Sequence, residues 1–244
     1  MTGIEHTAAG EAISARSIDP VLDAKGAVTR RFAERTTMFE HGDVVGHALY
    51  IKSGWAMTCK VLPSGTRIVT DFLLHGDMIS MTAAEMGQEV LLALTDVVCC
   101  EIHDPLTHSS SGGAQLAHVL YMESLKRQAR MSERLANMGG RDGLERTGHL
   151  LLELAERARH LAKPGFDGFI CPLRQADIGD AVGLSTVHAN RVLKEMRLKG
   201  LVWFRNGIVE FLNRQRLIDI VGFEPAYLSP SIARQGNRPP LINS

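Results

Sequence analysis

The side chains best suited to chemistry in this sequence stand between Gln175 and Lys199. After Ser185 come Thr186, Val187, His188, Asn190, Arg191, Lys194 and Lys199, interleaved with apolar Ala189 and Val192. On a helix this spacing turns one polar face outward. An outward Arg191 can donate two parallel hydrogen bonds to O6 and N7 of a guanine. Val187 cannot accept from a cytosine amine, but its methyls can meet a thymine methyl. Lys194 and Lys199 suit phosphate contacts, which give affinity without sequence information. Gln175, His188 and Asn190 add polar reach to phosphates or bases. The competing use of Arg191 is an ion pair with Glu195, its i+4 neighbour.

Other chemistries find little support. No nucleophile elbow, P-loop, Rossmann glycine pattern or metal motif occurs, so an enzyme reading is set aside. The ten histidines lack metal-ligand spacing and read as scattered surface residues. The cysteines are Cys59, Cys99, Cys100 and Cys171, without a CxxC pair, which fits a reducing cytoplasm. Cys99 and Cys100 are neighbours on a strand-like run, so they face opposite ways and one of them reads as buried packing. A redox role for the pair stays open. No cofactor is expected.

The polar face needs elements to position it. Across Gln175–Leu201 the sequence meets the demands of a helix-turn-helix. Gly179 is the small residue where two helices touch, and Gly183 is the turn glycine. Ile178, Val182, Leu184, Ala189 and Val192 are the inward positions, and Ser185 caps the second helix, Thr186 to about Lys199. Leu201–Phe204 and Ile208–Phe211 flank Arg205-Asn206-Gly207, and Asn-Gly between β-prone runs signals a hairpin. A helix-turn-helix followed by a hairpin is a winged domain.

Charge agrees. The 244-residue chain has a net charge of +0, but residues 1–125 sum to −7 and residues 126–244 to +7. An acidic half joined to a basic one suits a regulatory domain attached to a phosphate-facing domain. Upstream, short apolar runs broken by Gly, Pro and Asp predict a small barrel or roll, with strands at Ala48–Ile51, Trp55–Met57, Ile68–Thr70 and Val97–Cys99. Ser109–Gly113 reads as a loop. Residues 114–138 read as a long amphipathic helix with Leu116, Leu120, Met131, Leu135 and Met138 on one side, ended by Gly139-Gly140. That helix is expected to be a dimer seam. A second helix is expected from Gly143 to Leu161.

The expected fold is α+β. Its parts are a flexible N-terminal arm (1–24), a double-stranded, jelly-roll-like β-roll (25–113), a dimerisation helix (114–138), a winged helix-turn-helix (141–213), and a C-terminal helix and tail (214–244). No secretory h-region and no apolar run of membrane-spanning length occurs.

Gly183-Leu184-Ser185, Arg191–Lys194 and Gly200-Leu201-Val202 resemble the DNA-binding domain of the Crp/Fnr family of bacterial regulators. Tyr50–Trp55, Gly65-Thr66-Arg67 and Phe72–Asp77 resemble that family's cyclic-nucleotide-binding-type roll. Glu145-Arg146 with Leu150–Leu154 resembles the helix that opens its DNA-binding domain. The resemblance implies a cytoplasmic homodimer that binds double-stranded DNA at a palindromic operator and contacts RNA polymerase, without a membrane partner. It also directs attention to Gly76, Asp77, Met78, Ser80 and Thr82 as effector-pocket candidates.

The family's effector signatures are missing. Cyclic-AMP-binding members place a Glu and an Arg soon after the Gly-Asp, yet no Lys or Arg lies between Arg67 and Lys126 here. Cyclic AMP is therefore disfavoured, because a buried phosphate needs a paired cation. An N-terminal iron–sulfur cysteine cluster is absent, and Ser80 and Thr82 stand where a haem ligand is expected. The alternative is a ligand-binding regulatory protein whose roll senses an unidentified effector, not a cyclic nucleotide, or a redox change.

Overall fold

The computed structural model describes residues 27–40, 43, 47–81, 89–103, 111–159 and 165–229. The arm expected at 1–24, Thr82 and the end of the C-terminal tail lie outside them. Eight strands come first: β1 (Val28–Phe32), β2 (Thr37–Phe39), β3 (His47–Ser53), β4 (Ala56–Val61), β5 (Arg67–Leu73), β6 (Met78–Ser80), β7 (Val90–Ala93) and β8 (Val97–His103). They form two antiparallel four-stranded sheets, in the orders β1-β8-β3-β6 and β2-β7-β4-β5. Leu49, Ile51, Leu73, Leu91, Val97 and Cys99 fill the space between the sheets.

Helix α1 (Ser111–Gly140) then crosses the outer face of the first sheet. Its Leu116, Val119 and Leu120 pack on Ala48, Tyr50, Met78, Cys100 and Ile102. Successive strand residues point to opposite faces. Ala48 and Tyr50 therefore meet the helix while Leu49 and Ile51 meet the other sheet, which explains why the middle of this strand, Ala48–Ile51, is apolar on both faces. The helix begins three residues before the expected 114 and runs through Gly139 and Gly140 instead of stopping before them.

Helix α2 (Gly143–Arg157) opens on a capping box: the Asp142 side chain accepts from the Glu145 amide, and Glu145 returns the bond. It ends earlier than the expected Leu161. Strand β9 (Gly168–Ile170), helices α3 (Gln175–Val182) and α4 (Thr186–Leu198), strands β10 (Val202–Arg205) and β11 (Ile208–Phe211), and helix α5 (Arg214–Val221) complete the domain, before a 3-10 turn at Pro225–Leu228. The wing is a three-stranded antiparallel sheet, β10-β11-β9. Its tip is Asn206 and Gly207, with φ of 51° and 71°, the positive values a two-residue hairpin turn requires. Among the described residues no helix is long and apolar enough to cross a membrane.

Candidate nucleic-acid interface

The angle between α3 and α4 is fixed by two glycines. A Cβ on Gly179 would lie 2.5 Å from the Leu184 carbonyl oxygen, so the helices touch only because none is there. Gly183 caps α3 in the left-handed region, φ +67°. The Ser185 hydroxyl then accepts from the His188 amide and starts α4. Ala189, Val192 and Met196 are buried beneath this helix, together with Ile178 and Val182 of α3.

The opposite face of α4 is open. Thr186, Val187, His188, Asn190, Arg191 and Lys194 are exposed, Val187 by 62%, and Gln175 is exposed at the start of α3. Glu195 is not paired with Arg191: its carboxylate holds the Lys199 ammonium at 2.6 Å. Arg191 makes no ion pair or hydrogen bond among the described residues, which leaves its guanidinium available for a base edge. Lys199 stands at the C-cap, its charge already answered by Glu195, a poorer place for a phosphate contact than that of Lys194. Arg205, on the wing beside Trp203 with its guanidinium 5.8 Å from the ring, is a cation near the tip that side-chain spacing had not singled out.

The four effector candidates among the described residues, Gly76, Asp77, Met78 and Ser80, do not form one constellation. Gly76, φ +92°, turns the chain, and its amide donates to the Ile51 carbonyl. Asp77 accepts from the Leu74 amide at 2.6 Å and from Arg157 at 2.7 Å, tying the roll to α2. Met78 is buried under α1, and Ser80 is half-buried; both line a cleft of 1240 Å³ beside α1.

The absence of cations along 68–125 misleads, because the fold imports them. Arg127 of α1 reaches Glu89 and lies 3.5 Å from Thr58. Arg130 grips the fully buried Asp71 at 2.6 Å, and Arg157 of α2 stands 3.7 Å from it. Each guanidinium is already matched by a carboxylate. Burial would push the Asp71 carboxyl up, but Arg130 and then Arg157 hold it well below the usual carboxylate range. An incoming phosphate would have to displace these carboxylates.

Both cysteines of the 99–100 pair are buried, Cys99 between the sheets and Cys100 under α1. Burial pushes the Cys99 thiol up to about 12, so it is not a ready thiolate. Cys59 and Cys171 are also buried and free. Nor are the histidines all superficial. His149 is buried against Phe223 and Tyr227, with Nδ1 3.1 Å from the Asn137 amide and Nε2 3.1 Å from Glu133.

Residues 145–220 match the Crp-like helix-turn-helix domain. The chain is 24% identical over 172 residues to the nitrogen fixation regulation protein FixK of Azorhizobium caulinodans, covering 70% of this chain and 69% of that one. It is 22% identical over 187 residues to FixK of Bradyrhizobium diazoefficiens, 76% and 78% of the two chains. The solved structure of FixK2 from Bradyrhizobium japonicum superposes with a TM-score of 0.69 at 20% identity, over 85% of this chain and 99% of that one. The c-di-GMP responsive regulator CLP of Xanthomonas campestris gives 0.63 at 22%, over 81% and 98%.

Proposed function

We propose, for a chain that belongs to the Crp/Fnr family of transcription regulators, that it acts as a homodimer through α1 and reads a two-fold-symmetric operator with α4. The observation that carries this is the split character of α1. Leu116, Val119 and Leu120 of its first half are buried on the roll, whereas Met131, Leu135 and Met138 are 42%, 74% and 43% exposed along one stripe of its second half. A second copy of the same stripe is the self-complementary cover that a two-fold dimer supplies. Two copies of α4 then meet two half-sites, with Arg191 of each reading a guanine and Lys194 on phosphate. RNA polymerase is the further partner, and the cytoplasm, where the chromosome lies, is the place of action.

The test is a binding assay on single-base operator variants at fixed salt. Arg191→Ala is expected to weaken specific binding about tenfold per half-site and to flatten the preference at one base pair. If it keeps the wild-type ranking of every variant, Arg191 does not read a base. Cyclic AMP is expected to bind without useful affinity, since Arg127 and Arg130 already hold Glu89 and Asp71. A micromolar constant by titration calorimetry would refute that.

A further inference from the structure

Two side chains on the outer side of α4 serve neither the helix nor the core. Val187, 62% exposed, is an apolar β-branched residue turned to solvent in the first turn. Such a residue is a weaker helix former than the Lys, Glu or Gln that a solvated position admits. Asn190 is exposed and is a weak helix former too. Its carboxamide makes no hydrogen bond among the described residues, to neither Thr186 nor Lys194 one turn away. The buried side of the helix, Ala189, Val192 and Met196, fixes where these two point. At roughly 100° per residue, Val187 lies opposite the buried side, Arg191 falls about 40° to one side of Val187 and Asn190 about 60° to the other. Val187 and Asn190 are i,i+3 neighbours, which places their Cβ atoms about 5–6 Å apart. An apolar group and a paired donor and acceptor thus stand side by side, next to Arg191.

We propose that Val187 and Asn190 together read one A·T pair of the operator half-site, next to the guanine of Arg191. The proposal rests on the reading that α4 enters the major groove, where the N-terminal residues of a recognition helix meet base edges. The carboxamide of Asn190 offers an acceptor beside its donor hydrogens. Only adenine presents the matching set on one base, the N6 donor beside the N7 acceptor. Guanine shows two acceptors, cytosine one donor and thymine one acceptor. Any other base at this place leaves the carboxamide short of a partner, and that loss is the discrimination. When adenine takes Asn190, its partner thymine presents a methyl group at the far end of the same edge. Val187, beside Asn190, is the apolar group that covers it. A phosphate contact suits Asn190 less, since its side chain is short and neutral. Lys194, exposed one turn further along the same flank, has the charge and the reach for that task.

The test uses the full chain and a duplex selected by the wild-type protein from a random-sequence pool, with binding read at fixed salt. The selected half-site is expected to hold a guanine next to an A·T pair. Replacing that adenine by 7-deazaadenine removes the N7 acceptor and is expected to weaken wild-type binding about fivefold per half-site. Replacing its thymine by uracil removes the methyl group and is expected to weaken binding about threefold. Asn190→Ala is expected to lose the response to 7-deazaadenine and to keep the response to uracil; Val187→Ser is expected to do the reverse. A merely structural role for either residue does not produce this crossed pattern, because a loss of stability weakens binding to natural and modified duplexes alike. The two base analogues are also read on the wild-type protein alone, so the outcome does not hang on the folding of a variant. Absence of either response in wild type, or its retention by the matching variant, overturns the joint reading of one pair. Failure of the wild-type protein to select any sequence removes the DNA-reading proposal and this one with it. Selection of a half-site that lacks the A·T pair or these responses removes this one alone.

Discussion

His149 shows how much one side chain can ask of its surroundings. Burial lowers its pKa, Arg141 lowers it further, and the Glu133 carboxylate at 3.1 Å does not outweigh them, so it falls from 6.5 to about 4. The neutral ring suits its partners: Nε2–H donates to Glu133 while Nδ1 accepts from Asn137. The unfolded chain takes up this proton near pH 6.5, the folded one only near pH 4. Stability is therefore whole above about pH 6.5 and declines as pH falls towards 4, by roughly 3 kcal/mol at the low end. Urea unfolding of wild type and His149→Gln across that window checks it; the variant is expected to lose the slope. Gly179 makes the opposite demand, for empty space. Gly179→Ala puts a methyl against a backbone oxygen that cannot swing aside, and is expected to lower stability by about 1–3 kcal/mol, read as a fall in the urea midpoint.

At the scale of elements, α1 works as two half-helices. Leu116 and Leu120 belong to the core of its own chain, whereas Leu135 is 74% exposed. Leu135→Asp is therefore expected to leave folding nearly intact and to shift sedimentation from dimer to monomer at micromolar concentration, weakening operator binding as it does. A dimer that survives this change is not built on that stripe. The helix-turn-helix was the most legible element, because local demands fix it: a small residue, a turn glycine, a cap and inward apolar positions. The wing hairpin was legible for the same reason, through Asn206-Gly207. Its third strand, Gly168–Ile170, was not, since three residues carry no period and pair with β11 only after some forty residues of intervening chain. Continuation of α1 through Gly139-Gly140 is not legible either, because two glycines in a row read as a helix stop, and a Cβ on either would meet open space. Arg191 could be placed on the outer face from spacing alone, but its freedom from Glu195 depended on Lys199 competing for the same carboxylate.

The whole molecule is joined at a point that sequence spacing hides. Asp71 lies at 0% exposure in β5, and its partners come from α1 and α2, 59 and 86 residues further along. Arg130 gives it a bidentate grip at 2.6 to 3.2 Å. Arg157 approaches it while binding Asp77 and lying 3.7 Å from Glu153, and Tyr227 near the C-terminus donates to Glu153 at 2.8 Å. Roll, α1, α2 and the C-terminal turn thus share one charge network. Removing Arg130 alone takes the bidentate partner from a buried carboxylate and leaves it only the more distant Arg157 and Arg127, so Arg130→Ala is expected to cost about 3 kcal/mol or more. Replacing both partners by apolar residues, Asp71→Leu with Arg130→Met, leaves no stranded charge at that pair, and Arg157 keeps Asp77 and Glu153. The double variant is expected to regain most of the loss. The two also part in acid. The folded Asp71 carboxyl stays ionised well below the usual carboxylate range, so it adds stability above about pH 4 that fades as pH falls and the unfolded chain takes up the proton. The double variant has no such carboxylate and is expected to show a shallower loss of stability below pH 4 than wild type. Equal acid slopes, together with a double variant as unstable as Arg130→Ala, would mean that Asp71 and Arg130 do not stabilise the junction as a pair.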